Sequence, residues 1–238
     1  MNEQPEYRGT ALLVHGLSSD SESWWRVAAA LEADGWDVAA VDLRGHGYGA
    51  RAENYALTDY ARDLDDGWDL VVGHSLGGAA AVLAAQRPHF TKLLVLLDPV
   101  LDVPVAEEAA IIADQVAELG FTAESLARDK PHWHERDRAA KLVGVQRVDP
   151  AAVTGTFTDT GRWDVTAQAR ALTMPTLILS GDPAVYTMLD PALGRELGAV
   201  VVEGAGHSPH RDRPEETLTA LREWLLLHRG IGGTGSRD

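Results

Sequence analysis

The sequence contains no cysteine, which excludes a disulfide framework, thiol catalysis and every Cys-ligated zinc or iron–sulfur centre. It is also short of basic residues. Twenty-one Lys and Arg stand against 36 Asp and Glu, a formal charge of −15. Such a chain repels phosphate backbones and anionic bilayers and has no basic stripe to track them, so neither a nucleic acid nor a membrane surface is an expected partner. No apolar run approaches the roughly 20 residues of a membrane span. Residues 1–10 are polar and acidic, without the basic-then-apolar order of a secretory signal, and no internal repeat recurs. A cytoplasmic location is the expectation.

What is present is an ordinary globular composition: 238 residues, 45% hydrophobic and 24% charged, enough to bury one large core without a staple. Short apolar runs at 11–14, 37–41, 69–72, 93–97, 176–179 and 199–202 are separated by helix-favouring stretches. Their apolarity is continuous, which fits strands covered on both faces. The repeated β-α-β order predicts an α/β fold with a mostly parallel sheet. Trp24, Val27, Ala28 and Leu31 recur at helical spacing, and residues 76–86 are Ala-rich.

The rhythm breaks over 100–172, a long stretch of helical pattern between two strand runs. Pro104 suits a first helical position, Val105, Ala109, Ile112, Val116 and Leu119 form one apolar stripe, and Gly120 suits a stop. Thr122, and Asp149 followed by Pro150, have the chemistry of further helix starts. The expected organisation is a core of 1–99 and 173–229, a helical lid over 100–172, and a Gly-rich flexible tail, 230–238.

The strongest chemical signal is Gly73-His74-Ser75-Leu76-Gly77, set directly after a strand run and before the Ala-rich stretch. A hydroxyl attacks a carbonyl only if it is exposed and within reach of a base, and a sharp strand-to-helix turn lifts it clear of the backbone. The same turn sets Ser75 at a helix N-terminus, where negative charge is favoured. His15-Gly16 follows the first strand run, so the N–H of Leu17, with that of Leu76, would form a two-donor oxyanion hole. His15 itself reads as a loop-bonding residue.

Nine histidines compete for the role of base. His207, on the Gly-rich loop Gly204-Ala205-Gly206-His207 after the last strand run, can swing an imidazole over the C-terminal edge of the sheet. His46 lies in a turn, His74 should point away from the serine, and His132 and His134 read as a solvated pair, so no metal is expected. The orienting acid is Asp182, just past the fifth run, with Asp98, just past the fourth, as the alternative and Asp190 behind both. Either choice keeps the chain order Ser, Asp, His.

These motifs resemble the α/β-hydrolase superfamily, in its lidded, cofactor-free esterase and peroxidase-like branch with a serine nucleophile. His15-Gly16 matches the oxyanion loop, Asp42-Leu43-Arg44-Gly45-His46-Gly47 the turn after the next strand, and Gly73-His74-Ser75-Leu76-Gly77-Gly78 the nucleophile elbow. Gly181-Asp182 matches the acid loop, although that loop is short, and Gly206-His207 followed by Arg213-Pro214-Glu215 matches the base loop and final helix. The resemblance implies hydrolysis of a carboxylic ester, or of a lactone or thioester, through an acyl-enzyme, with no cofactor. A serine at the nucleophile position disfavours the haloalkane-dehalogenase and epoxide-hydrolase chemistries, which need a carboxylate there. The expected partner is a small-molecule substrate, and Trp24 and Trp133 (with Trp25) suggest that it is hydrophobic; the pattern specifies no oligomeric state. Two rival readings share the scaffold: a slow or non-catalytic ligand-binding protein, and an acyltransferase or perhydrolase.

Overall fold

In a computed structural model, which describes residues 8–228 and 230, the six apolar runs form six strands of one sheet. The chain runs β1 (Gly9–Val14), α1 (Trp25–Ala33), β2 (Trp36–Val41), α2 (Leu57–Asp63), β3 (Trp68–His74), α3 (Leu76–Ala84) and β4 (Thr91–Leu97). Five helices follow: α4 (Val105–Glu118), α5 (Ala123–Asp129), α6 (Glu135–Arg147), α7 (Pro150–Thr158) and α8 (Thr166–Arg170). The chain then closes with β5 (Thr176–Ser180), α9 (Pro191–Glu196), β6 (Val200–Val201), α10 (Pro209–Asp212) and α11 (Pro214–Leu227). Every strand pairing is parallel, in the order β2-β1-β3-β4-β5-β6.

Continuous apolarity in the strands has the cause the sequence suggested, because each face of the sheet carries its own core. Leu12, Val14, Val71, Leu94 and Ile178 pack on one side with α2 and α3. Their neighbours Leu13, Leu70, Val72, Val95 and Leu179 pack on the other with α1 and α11. Burying such a side chain stabilises by about 1.5–3 kcal/mol, so the inner strands β1, β3, β4 and β5 are apolar on both faces over most of their length, while the edge strands β2 and β6 are largely exposed.

The strand order fixes where chemistry can sit. β1 has β2 on one side and β3 on the other, so the chain reverses its direction of winding there and leaves a crevice beyond the carboxyl ends of β1 and β3. Register keeps those ends level: Gly73 pairs with both Val14 and Leu96, His74 with Leu97, and Leu97 with Leu179. The residues after positions 14, 74, 97 and 180 therefore leave the sheet together.

The 105–170 helices begin largely where local chemistry placed them. Thr122 caps α5 reciprocally with Ser125, and Asp149 caps α7 by accepting the Ala151 N–H. Pro104 stands one position earlier than expected, as the cap of α4. The apolar stripe of α4 differs more. No residue of α4 is buried; Ile112 and Leu119 lie against the core, but Val105 and Val116 are exposed. The helix turns Ile111, Asp114, Gln115 and Glu118 toward a cavity, so its inner face is mixed in polarity. Apart from Gly230, the tail 230–238 lies outside the described residues. Among the described residues, no helix is long and apolar enough to cross a membrane.

Candidate active site

Ser75 stands between β3 and α3 with φ 54° and ψ −118°, a backbone conformation that a non-glycine residue adopts only when its surroundings enforce it. Close packing does the enforcing. A Cβ on Gly73 would lie 2.7 Å from the Gly77 carbonyl oxygen, and one on Gly77 would collide with the carbonyls of Val14 and His15. Only glycines let α3 start so close to β1. The result aims Oγ away from its own helix, and Ser75 makes no side-chain cap to α3.

The hydroxyl meets His207, whose Nε2 lies 2.9 Å from Ser75 Oγ. Its Nδ1 lies 2.6 Å from Asp98 Oδ2. Because the carboxylate only accepts, Nδ1 carries the proton and Nε2 is left to accept from the serine. Asp98 is fully buried, yet well supplied with donors: the N–H groups of Gly181 (3.0 Å) and Met188 (2.9 Å) and the Thr187 hydroxyl also point at it. Burial alone would push its carboxyl up. The hydrogen bond and charge of His207, joined by Thr187 and Met188, hold it below the usual carboxylate range.

The expected acid, Asp182, is not on this relay. Its carboxylate accepts the N–H groups of Gly204 at 2.9 Å and Ala184 at 2.8 Å, fastening the acid loop to the base loop. Those two hydrogen bonds hold its own carboxyl below the ordinary range. The alternative, Asp98, takes the place because β4 is the immediate neighbour of β3. Its residue after the strand emerges beside Ser75, whereas Asp182 lies one strand further out and two residues past β5. Asp190 caps α9 instead.

Five of the other histidines have hydrogen-bonded roles of their own. His15 Nδ1 donates to the Gly16 carbonyl, and its Nε2 accepts the Leu43 N–H. Burial lowers its pKa to about 4, so it ties two loops together as a neutral ring. His46 is likewise buried, and burial lowers its pKa to about 3. His74 points away from Oγ, donating from Nε2 to the His207 carbonyl at 2.7 Å. This support for the base loop has no local sequence signal, since the two residues are 133 positions apart. His132 bonds Asp212 and His134 caps α6. Among the described residues, no cluster of three or more His, Asp or Glu is placed to hold a metal ion.

A cavity of about 590 Å³ opens over Ser75 and His207. Leu17 lines it, and the loop before Leu17 comes close: a Cβ on Gly16 would stand 3.0 Å from Ser75 Cβ. Leu76 opens α3, so its N–H has no partner within the helix. Helices α4 to α7 supply much of the opposite wall, joined by Trp133 from the turn between α5 and α6. Trp24 does not line the cavity. It is fully buried under the sheet and stacked on His210, with ring centroids 4.9 Å apart, because the face carrying Val27 and Leu31 is the core face. Trp25 also lies off the cavity wall, donating to Asp137. Asp212, which the sequence did not single out, accepts from Trp133 Nε1 (2.6 Å) and His132 on one oxygen and from the Gly206 and Ser208 N–H groups on the other. It joins the helical segment to the base loop.

The model of the alpha/beta hydrolase family matches residues 11–220. An esterase of Mycobacterium tuberculosis is 30% identical over 248 residues, covering 89% of this chain and 80% of that protein. A 2-(acetamidomethylene)succinate hydrolase of Mesorhizobium japonicum is 31% identical over 242 residues, covering 90% and 87%. Among solved structures, a thermophilic esterase from Thermogutta terrifontis superposes with a TM-score of 0.72 at 28% identity, covering 94% of this chain and 92% of that one. Sheet order, the turn at Ser75 and these likenesses agree, and the chain belongs to the alpha/beta hydrolase family.

Proposed function

We propose that the protein is a serine hydrolase that cleaves a small carboxylic ester, or a lactone, through an acyl-enzyme, with α4–α8 acting as the lid over the substrate. The observation that carries this reading is the unbroken relay from Asp98 through His207 to Ser75 Oγ at the floor of a cavity. His207 takes the Ser75 proton on Nε2 as Oγ attacks the carbonyl carbon. Asp98 keeps the ring in the Nδ1–H tautomer and stabilises the imidazolium. The N–H groups of Leu17 and Leu76 hold the oxyanion, a role in which losing one donor typically costs about 3–4 kcal/mol of barrier. The Nε2 proton passes to the leaving alcohol, and water then repeats the sequence on the acyl group, releasing the acid and restoring Ser75.

The test is hydrolysis of p-nitrophenyl butyrate beside Ser75→Ala, with a fluorophosphonate probe followed by intact mass. Wild type should turn over and gain one phosphonyl adduct, and Ser75→Ala should do neither. Equal turnover by the two proteins would overturn the reading, and inertness of both with no adduct would favour a ligand-binding protein on the hydrolase scaffold.

A further inference from the structure

The cavity contains a charge that the relay does not use. Arg211, four positions after His207, is only 5% exposed and lines the same cavity as Ser75. Its one side-chain hydrogen bond among the described residues runs from Nη2 to Ser19 Oγ, at 3.2 Å. Its Nε is buried with no partner, and no carboxylate of the described residues lies within 4.0 Å. Acids lie further off, and all but Asp20 are already engaged; Asp20, next to Ser19, keeps one oxygen without a hydrogen-bond partner but stands beyond 4.0 Å of the guanidinium, with Arg147 at 3.9 Å as its ion pair. Glu118 holds Lys141 Nζ, Asp137 takes Trp25 Nε1 and Arg26, and both oxygens of Asp212 are occupied by N–H donors. A guanidinium does not escape by losing its proton. A buried cation with no counter-ion is costly, and a bound anion would offset that cost.

The placement favours a substrate group over a stray ion. Ser19 follows Leu17 by two residues, so its Cα is at most about 7.6 Å from that of the oxyanion-loop residue. Lys141 Nζ rests on the Ser18 carbonyl at 3.1 Å, stiffening the same loop. The Arg211 guanidinium carbon stands 5.0 Å from the centre of the Trp133 ring, which restrains its fork. One buried unpaired cation ringed by acids suits a monoanion better than a phosphate dianion, and the fork matches a carboxylate in two-point fashion.

We infer that Arg211, with Ser19 beside it, forms a carboxylate subsite, and that the ester this cavity takes carries a free carboxylate a few bonds from the carbonyl under attack. The inference rests on the hydrolase reading above. It also adds a charge to the hydrophobic substrate suggested by Trp24, Trp25 and Trp133, of which only Trp133 lines the cavity.

The test compares mono-p-nitrophenyl glutarate with p-nitrophenyl valerate, which has the same acyl length and no charge. Wild type should favour the glutarate by at least about tenfold in kcat/KM. That ratio should collapse toward one in Arg211→Gln and be partly kept in Arg211→Lys. Ser75-dependent hydrolysis of the valerate with a ratio near one would overturn the subsite and leave the hydrolase reading standing. If neither ester is hydrolysed, the hydrolase reading fails and binding decides the subsite: Ser75→Ala titrated calorimetrically with monomethyl and dimethyl glutarate. Binding of the monoanion at least tenfold tighter supports the subsite, and equal binding or none overturns it. Should Arg211→Gln fail to fold by circular dichroism, the wild-type ratio and Arg211→Lys still decide.

Discussion

Two aspartates of similar sequence context separate by geometry at the scale of single residues. Asp98 adopts a left-handed φ of 38°, which Asp and Asn tolerate better than most residues, and its carboxylate meets His207. Asn at 98 fits the same backbone but presents no full charge to hold the Nδ1–H tautomer. Asp98→Asn should therefore lower kcat by about four orders of magnitude, as in the serine-protease template, with the fold intact by circular dichroism. Asp182→Asn should leave kcat within a few-fold and lower Tm, because its carboxylate bonds only loop N–H groups. Parallel kinetics on the two variants with p-nitrophenyl butyrate check this, and the reverse ranking would return Asp182 to the relay. Ser75 and His207 were legible because a glycine-flanked turn and a Gly-rich loop are local signals. The choice of acid was not, because both aspartates follow strands and only sheet order says which strand adjoins β3.

Strand positions were legible at the scale of elements for a physical reason. A strand covered on both faces must be apolar at every position, and that is a property of six or so consecutive residues. Helix starts with a capping side chain, at Thr122 and Asp149, were legible too. The stripe on α4 misled because an amphipathic pattern reports that one face is apolar, not what lies opposite it. Opposite α4 is a cavity, so none of its residues is buried, in contrast to α3, where Leu76, Ala79, Ala80 and Val82 are all fully enclosed. With so little area to lose, α4 should open at far lower cost than α3. Hydrogen exchange followed by mass spectrometry should find the amides of 105–118 exchanging orders of magnitude faster than those of 76–84. Equal protection of the two helices would show that α4 is held as firmly as the core, and a lid role for it would fall.

Placements that no local pattern encodes appear at the scale of the whole molecule. Arg211 and Ser19 are 192 positions apart in the chain, and His74 reaches the His207 carbonyl across 133. The net charge of −15 acts at this scale as well, since a folded chain concentrates its acids. Asp20 pays most visibly for that. It is 1% exposed, its Oδ1 accepts the Glu22 N–H, its Oδ2 has no hydrogen-bond partner, and the nearest cation, Arg147, stands 3.9 Å away. Burial first, and then the neighbouring charge of Asp42, raise its pKa to about 6. The sign follows from linkage: the folded state holds this proton more tightly than the unfolded chain does, so folding loses stability as pH rises from about 4 through about 6, and the full cost stands above that. Asn at 20 keeps the Oδ1 acceptor and removes the charge. Asp20→Asn should match wild type in Tm near pH 4 and exceed it by roughly 5 °C at pH 7.5, measured by calorimetric scans across that range. A gain of the same size at every pH would mean that shape, rather than the buried charge, sets the cost.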